Sequence, residues 1–403
     1  MVQISIFQSV HCEAAYFGNM EIGNSNIHNF QDNQGNTLAH YAAANGQKKL
    51  LEQGYNARKM TLKERNNWGY TPLLFAVING HTKTVEWLIH QGIDCRKKLT
   101  ITNINAFLLA AENGHTRTLE SLIKGGASLY DKNDHLDSAA HYAARQGYTE
   151  TLNWLIKQGL SPVEPNKFGM IPVYLAATRG YTTTVKFLVN HGANIHESDN
   201  YGNTPLLVAA KYGHLDTVKW LLQYKANLEK KNDQGQNALT LAFNNNALTV
   251  VQFLLKCDAN FDGNVISDDQ AKILAQVLAA THKLTSLNLS HSGMNIVKIN
   301  HLKKVLSQHP NLEILQVDEN SALGEEGVAI LLDICEKNLQ LKKVTATNTG
   351  ASKAQKNYLA TLNSREDTRD KNSALLSATF FAVPHNPINK EATAKDQQKF
   401  FNP

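Results

Sequence analysis

Cysteine is scarce in this chain of 403 residues, which has four cysteines that stand far apart and form no C-x-x-C pair. Such spacing gives neither a disulfide framework nor a zinc knuckle, and it suits a reducing compartment. Long hydrophobic runs are also absent, because no stretch approaches the roughly 18 uncharged apolar residues of a membrane-spanning helix. The opening MVQISIFQSVHCEAAYF lacks the basic segment that begins a signal peptide. These absences predict a soluble, intracellular protein.

An excess of one charge is lacking as well, because 40 basic residues face 35 acidic residues and the net charge is only +5. Over this length, that excess is too weak to indicate nucleic-acid binding. The motifs HExxH, GxSxG, GxGxxG and the P-loop do not occur, and no Cys/His set has zinc spacing. We therefore predict no catalytic residues, no cofactor and no bound metal.

A repeat of 33 or 34 residues is the strongest positive signal in the sequence. The segment WGYTPLLFAVINGHTKTVEWLIHQG (68–92) returns in closely similar form as YGNTPLLVAAKYGHLDTVKWLLQYKAN (201–227). Each copy has one residue suited to a left-handed turn after its first helical pattern. These residues are Gly46, Gly80, Gly114, Gly147, Gly180, Gly213 and Asn246. The period predicts stacked helix–turn–helix units, because one pair of helices cannot bury its own apolar face.

Particular residue types have mechanical roles within the copies. Thr71 and Thr204 are predicted to cap the first helix, and Pro72 and Pro205 to occupy its first position, where no backbone donor is needed. The first copy is predicted to have a short second helix. Five histidines are predicted to form structural hydrogen bonds, and they are His40, His81, His115, His141 and His214.

With its TPLxxAA and Gly-His signatures, the repeat resembles the ankyrin repeat over roughly residues 32–261. The resemblance implies a mainly α solenoid of about seven repeats, whose turn tips and first-helix ends line a concave groove for a partner protein. The implied contacts on the turn tips are Trp68, Tyr70, Phe168, Met170, Tyr201 and Asn203. Those at the helix ends are Asn79, Asn113, Arg145, Gln146, Arg179, Lys211 and Tyr212.

Three of these residues carry positive charge in consecutive repeats. We expect Arg145, Arg179 and Lys211 to form a basic ladder with steps of about 10 Å, the spacing of packed helices. Such a ladder would suit a partner with an acidic stretch. The expected protein is a non-enzymatic interaction scaffold that is monomeric and binds no nucleic acid.

After Phe261 the period changes. The segments LTSLNL, LEILQV and LKKVTA begin 28 and then 29 residues apart, at Leu284, Leu312 and Leu341. Each has the LxxLxL form of a strand that turns alternate residues toward a core, and helical patterns lie between them. This period resembles the leucine-rich repeat of the ribonuclease-inhibitor type. It implies a short α/β solenoid of three repeats over residues 262–363, packed end-on against the ankyrin repeats.

The two ends of the chain, residues 1–31 and 364–403, are interpreted as an N-terminal cap and a flexible polar tail. Neither is long enough for an ordinary catalytic domain. Ankyrin and leucine-rich repeats in one Asn- and Lys-rich chain resemble the effectors that intracellular bacteria deliver into the host cytoplasm. Phe400, Phe401 and Glu391 are similar to a type IV delivery signal. The alternative is an adaptor or substrate receptor of a native cytoplasmic complex.

The segment DANFDGNVISDD (258–269) has two interpretations. It resembles a calcium-binding EF-hand loop, because Asp258, Asn260 and Asp262 alternate, Gly263 allows a sharp turn, and Asp269 holds the last ligand position. A junction between the two repeat types produces the same letters, since DAN also matches the GAN that ends an ankyrin copy. Because Asp at the last position lowers calcium affinity, we favour the junction.

Overall fold

The computed structural model describes residues 31–99, 103–261 and 264–363. The predicted tail, and all but the last residue of the predicted N-terminal cap, lie outside these ranges. The chain divides into two compact units, Met1–Asn194 and Ile195–Pro403.

In the described part of the first unit, five helix pairs follow one another. The first helices of the pairs are α1 (Leu38–Ala44), α3 (Pro72–Ile78), α5 (Ala106–Glu112), α7 (Ala139–Gln146) and α9 (Pro172–Thr178). The second helices are α2 (Lys48–Asn56), α4 (Thr82–His90), α6 (Thr116–Lys124), α8 (Thr149–Lys157) and α10 (Thr182–Asn190). Successive first helices pack on one another, and each also packs on its own second helix.

The core of this unit lies between the helices. A fully buried alanine holds the equivalent position of each first helix in this unit, and these residues are Ala42, Ala76, Ala110, Ala143 and Ala176. Fully buried leucines recur in the second helices, and they are Leu88, Leu122, Leu155 and Leu188. The small side chains let neighbouring first helices approach closely. Each buried leucine contributes roughly 2 kcal/mol of burial free energy.

The prediction of a short second helix in the first copy is wrong. Helix α2 has nine residues and runs through Gly54 to Asn56. A Cβ on Gly54 would lie 2.5 Å from the sulfur of Met60. Glycine therefore stands inside this helix to make room for a following side chain, although its low helix propensity suggests an end.

The residue that ends each first helix has the predicted left-handed backbone. The φ angle is 71° at Gly80 and 73° at Gly114, and Asn246 adopts 58° in the seventh copy. Stacking adds a second requirement, because a Cβ on Gly80 would lie 2.6 Å from Nδ1 of His115. The same ring donates from Nε2 to the carbonyl of Ile78 at 2.8 Å. Glycine thus serves both the turn and the close approach of the next repeat.

The helix starts agree with the predictions except at one residue. Pro72 and Pro205 begin their helices as expected, and the Thr204 hydroxyl accepts the N–H of Leu207 at 3.4 Å. The prediction that Thr71 caps its helix is wrong, because Thr71 holds the capping position without a side-chain capping bond.

The second unit contains two further helix pairs and then an α/β region. The pairs are α11 (Pro205–Lys211) with α12 (Leu215–Gln223), and α13 (Ala238–Asn244) with α14 (Leu248–Lys256). The helices of the α/β region are α15 (Asp268–Ala279), α16 (Ile296–Gln308), α17 (Gly324–Lys337) and α18 (Lys353–Asn363). Its strands are β1 (Ser286–Asn288), β2 (Ile314–Gln316) and β3 (Lys343–Thr345), with a 3-10 turn at Ser321–Leu323 before α17. Helix α15 contacts α14, so the α/β region packs on the last helix pair.

The three strands form a parallel sheet in the order β1-β2-β3. Leu287 is paired with Leu315 and Leu315 with Val344, so the predicted 28- and 29-residue steps coincide with the strand register. These three central residues are buried, and the helices that follow the strands pack on one another in chain order. The described chain is therefore mainly α, with helix pairs followed by a small three-stranded α/β region.

Candidate functional site

The turns that precede the first helices have a repeated hydrogen-bonded geometry. In the second repeat, the side-chain oxygen of Asn66 accepts the N–H groups of Trp68 at 3.1 Å and Tyr70 at 2.8 Å. Asn166 and Asp199 form the same pair of bonds in the turns of the fifth and sixth repeats. One side chain per turn therefore fixes the backbone on both sides of the tip.

Neighbouring turns are also tied to one another. The Asn66 amide donates to the side-chain oxygen of Asn36 at 2.8 Å, and the Asn166 amide donates to Asp137 at 2.7 Å. Asn66, Asn166 and Asp137 are buried, so an unpaired amide or carboxylate there would cost about 1–3 kcal/mol. The bonds make the turns rigid platforms.

These turns present aromatic side chains that are not buried in the core. Trp68 is 40% exposed and Phe168 is 37% exposed in the first unit, and Tyr201 is 66% exposed in the second. The Phe168 ring lies 5.3 Å from that of His135 on the preceding turn.

The other predicted tip residues are half-buried and take part in the framework. The carbonyl of Tyr70 accepts Nε2 of His40 at 3.0 Å, and that of Met170 accepts Nε2 of His141 at 3.1 Å. In the second unit, the Asn203 amide donates to the carboxylate of its own turn. The predicted structural role of His40 and His141 is thereby confirmed.

Two predicted contact residues at the helix ends donate side-chain hydrogen bonds to backbone carbonyls of their own helix. The amide of Asn79 donates to the carbonyl of Phe75 at 2.9 Å, and that of Asn113 donates to Leu109 at 2.8 Å. Such bonds pair carbonyls that the end of a helix leaves free. Gln146, at the end of α7, is exposed.

Arg145 already has an anionic partner. Its guanidinium donates to Asp137 at 3.0 Å and lies 5.3 Å from the centre of the Tyr142 ring. Although burial alone would raise it, the pKa of Asp137 lies below its ordinary value because Asn166 and Arg145 stabilise the carboxylate. A partner could use the charge of Arg145 only by competing with this buried carboxylate.

Arg145 and Arg179, the two residues of the expected basic ladder that lie in the first unit, therefore have different surroundings. Arg145 stands two residues before the turn glycine of its repeat, whereas Arg179 stands one residue before and is exposed. Lys211 belongs to the second unit, where its ammonium lies 5.5 Å from the ring of Tyr212, which is itself 54% exposed.

Glu112 is a surface residue that the sequence reasoning missed. It is the last residue of α5, half-buried, and forms no hydrogen bond or ion pair with any described residue. Burial raises the pKa of its carboxyl, and Arg145 opposes that shift. Burial likewise raises the pKa of Tyr142 to about 12, with the Glu112 charge adding to the effect. The repeat alignment could have indicated Glu112 as a surface residue, since it occupies the position of the predicted contact residue Arg145 one repeat earlier.

Neither metal ligation nor membrane insertion is indicated within the described ranges. Among those residues, no group of three or more His, Cys, Asp or Glu side chains could hold a metal ion. Two residues of the proposed calcium loop, Asp262 and Gly263, lie outside the ranges, and Asp269 is in α15 and paired with Lys272. No helix there is long and apolar enough to cross a bilayer.

Stacked helix pairs, joined by hydrogen-bonded turns that display side chains at fixed positions, define a helical repeat protein. The family model described as ankyrin repeats (3 copies) matches residues 12–99, 95–166, 141–232 and 174–265. Because these matches cover more than half of the chain, the protein belongs to the ankyrin-repeat family. None of the curated proteins matches it. Ankyrin-repeat domains are typically non-catalytic and bind other proteins, so a protein partner is implied.

Proposed function

We propose that this protein is a non-enzymatic scaffold that binds another protein through the turn tips and first-helix ends of its ankyrin repeats. The observation that carries the proposal is the rigid display of Trp68 and Phe168, which are exposed on turns fixed by Asn66 and Asn166. Exposed aromatic side chains are favoured at binding hot spots, and a preorganised surface loses little conformational entropy on binding.

The contact surface is the set of residues at the tips and helix ends, and it includes Arg179 as its exposed cation in the first unit. Arg179 forms no ion pair with a described residue. Its positive charge is therefore the reason to expect an acidic stretch in the partner. Because Arg145 is held by Asp137, its contribution is packing of the side chain and not a free charge. The protein acts as a monomer in this proposal.

Binding of a captured partner by the full chain tests the proposal. Proteins captured from a lysate are identified by mass spectrometry, and their affinity is then measured for purified variants. Replacing both Trp68 and Phe168 by alanine is expected to weaken binding about 1000-fold, because each hot-spot aromatic contributes about 2 kcal/mol.

The matched control is Tyr130→Ala, which removes an aromatic ring that is 66% exposed but lies outside the proposed surface. This variant is expected to bind the partner as the unchanged chain does. Equal affinity of the Trp68→Ala/Phe168→Ala variant and the unchanged chain would refute the proposal.

We also propose that residues 262–363 are a short leucine-rich-repeat solenoid of the ribonuclease-inhibitor type. Parallel strands that alternate with helices at 28 and 29 residues support this assignment. A further support is the buried amide of Asn320, which donates to the carbonyls of Leu289 at 2.9 Å and Val317 at 2.8 Å and so links successive repeats. An experimental structure with antiparallel strands in this region would overturn the assignment.

Finally, we propose that the chain is an effector delivered into a host cytoplasm. The support comes from the sequence, in which two repeat types share an Asn- and Lys-rich chain and the tail contains Glu391, Phe400 and Phe401. A reporter fused to residues 364–403 should enter host cells only when the secretion system is intact. Failure of translocation would favour the alternative, an adaptor or substrate receptor in a native cytoplasmic complex.

A further inference from the structure

A small cavity in the first unit has no role in the proposed protein-binding surface. Its volume is about 120 Å³, and its lining consists of Lys63, Arg65 and Thr71 before α3, of residues 92–95, 97 and 98 after α4, and of Leu73 and Leu74. At about 30 Å³ per water molecule in the liquid, this space corresponds to about four waters. It has room for one compact polyatomic anion.

The charged lining of this cavity is almost entirely basic. Four cations line it, and they are Lys63, Arg65, Lys97 and Lys98. The acidic lining residue is Asp94, and its carboxylate is already paired with the guanidinium of Arg96 at 2.9 Å. The cavity therefore has an excess of positive charge that its own lining does not balance.

None of these four cations forms an ion pair with a residue that the structure describes, although the charge of Lys97 helps to lower the pKa of Asp94. Arg65 donates to the carbonyl of Gly69 at 3.2 Å, and Lys98 donates to the carbonyl of Lys132 at 3.1 Å, so both bond to uncharged oxygens. By contrast, the ammonium of Lys132, which does not line the cavity, forms an ion pair with Glu164 on the following repeat.

A neutral donor lies on the same wall. Thr71 lines the cavity and holds the capping position of α3, but its hydroxyl forms no capping bond and no hydrogen bond with any described residue. Its counterpart Thr204 uses the hydroxyl to cap its helix. The Thr71 hydroxyl is therefore available to a ligand.

We propose that this cavity binds one phosphate group in its dianionic form, with the four cations and the Thr71 hydroxyl as its polar partners. A phosphate offers more acceptor oxygens and more charge than a carboxylate, and both Lys and Arg bind it through charge-assisted hydrogen bonds. A neutral or cationic ligand would leave the excess of positive charge unbalanced. The lining contains none of the proposed tip residues, although Arg65 bonds to the carbonyl of Gly69 beside them, and the site does not depend on the proposed partner binding.

Calorimetric titration of the full chain with inorganic phosphate tests this site, at low ionic strength because salt screens exposed charges. Saturable binding is expected. Replacing Lys63 and Lys97 together by glutamine should weaken it about tenfold, as removal of two nearby charges implies. Thr71→Val, which keeps every charge, should weaken binding by a smaller factor. Thermal unfolding of each variant verifies that it remains folded.

The control variant replaces Lys83 and Lys124, two exposed lysines that do not line the cavity, by glutamine, and it should bind phosphate unchanged. O-phosphoserine is the second probe. Binding of both probes indicates a phosphorylated side chain as the ligand, whereas binding of inorganic phosphate alone indicates a free anion. The absence of heat from both probes at millimolar concentration would overturn the proposal. Equal phosphate affinity in the Lys63→Gln/Lys97→Gln and control variants would do the same.

Discussion

One buried imidazole, that of His141, joins two repeats of the first unit and supports the sharpest stability prediction. His141 is fully buried in α7. Its Nδ1 accepts the N–H of Ser138 at 3.2 Å and the hydroxyl of the same residue at 2.9 Å. Its Nε2 donates to the carbonyl of Met170, on the turn of the next repeat, at 3.1 Å. These partners require a neutral ring with its proton on Nε2.

Replacing His141 by alanine should destabilise the protein by about 3–5 kcal/mol. The change leaves the polar groups of Ser138 and Met170 without their partner, at about 1–3 kcal/mol for each buried group, and it also opens a cavity. His141→Gln should recover part of the loss, because glutamine at the third helical position can still accept the Ser138 N–H. The matched control is His90→Ala, since His90 is exposed at the end of α4, and its effect should stay within about 0.5 kcal/mol.

The same ring should make stability depend on pH. Burial lowers the pKa of His141 below its ordinary value of 6.5, although Asp137 and the Met170 carbonyl oppose the shift. The unfolded chain then binds more protons than the folded chain, so the contribution of His141 is complete above about pH 6.5 and decreases as the pH falls. Urea denaturation between pH 5 and 7 measures both effects. The reasoning is refuted if His141→Ala costs less than about 1 kcal/mol and retains the pH dependence of the unchanged protein.

Three further predictions concern other parts of the fold. Gly114→Ala should lower the unfolding free energy by about 2 kcal/mol or more, because φ is 73° and the new Cβ would lie 2.8 Å from the ring of Tyr148. Gly92→Ala should lower it by about 1 kcal/mol, because φ is 77° but the new Cβ would enter open space. Equal unfolding free energies for these two variants would contradict the stacking role of Gly114. Arg145→Met should raise the pKa of Asp137 and move acid unfolding to higher pH. The lowered pKa of Asp137 in the folded chain stabilises the protein above about pH 3.8, and this stabilisation is lost as the pH falls. An unchanged acid midpoint would show that the ion pair contributes nothing. Leu315→Ala should cost about 3 kcal/mol and speed hydrogen exchange in β1–β3, and unchanged exchange there would argue against a shared core.

Features that depend on a few adjacent residues could be predicted from the sequence. A left-handed residue after each first helix, and proline at the first helical position, follow from backbone sterics within a single turn of chain. The strand period after Phe261 was also predictable, because alternating leucines specify one buried face. The short second helix was mispredicted for the opposite reason. Gly54 weakens the helix locally, but the packing of Met60 requires a residue without a side chain there.

The candidate surface was only partly predictable. The sequence identified Trp68, Phe168 and Tyr201 as exposed tips, but it did not distinguish them from Tyr70, which the fold leaves half-buried. It did not reveal that Arg145 is paired with Asp137, since that pair depends on how the turn folds back on the helix end. It also overlooked Glu112, whose half-buried carboxyl acquires its properties from its surroundings in the fold.

By itself, the sequence determined the repeat and the identity of the residues that end each first helix, because these follow from short-range sterics and periodic burial. Only the tertiary structure decided which charges are neutralised. Lys63 and Lys97 are more than 30 residues apart in the chain, and loops of successive repeats bring them to the walls of one cavity. Electrostatic interactions depend on distance through space, and the distance between loops of different repeats is set by the packing of the helices between them.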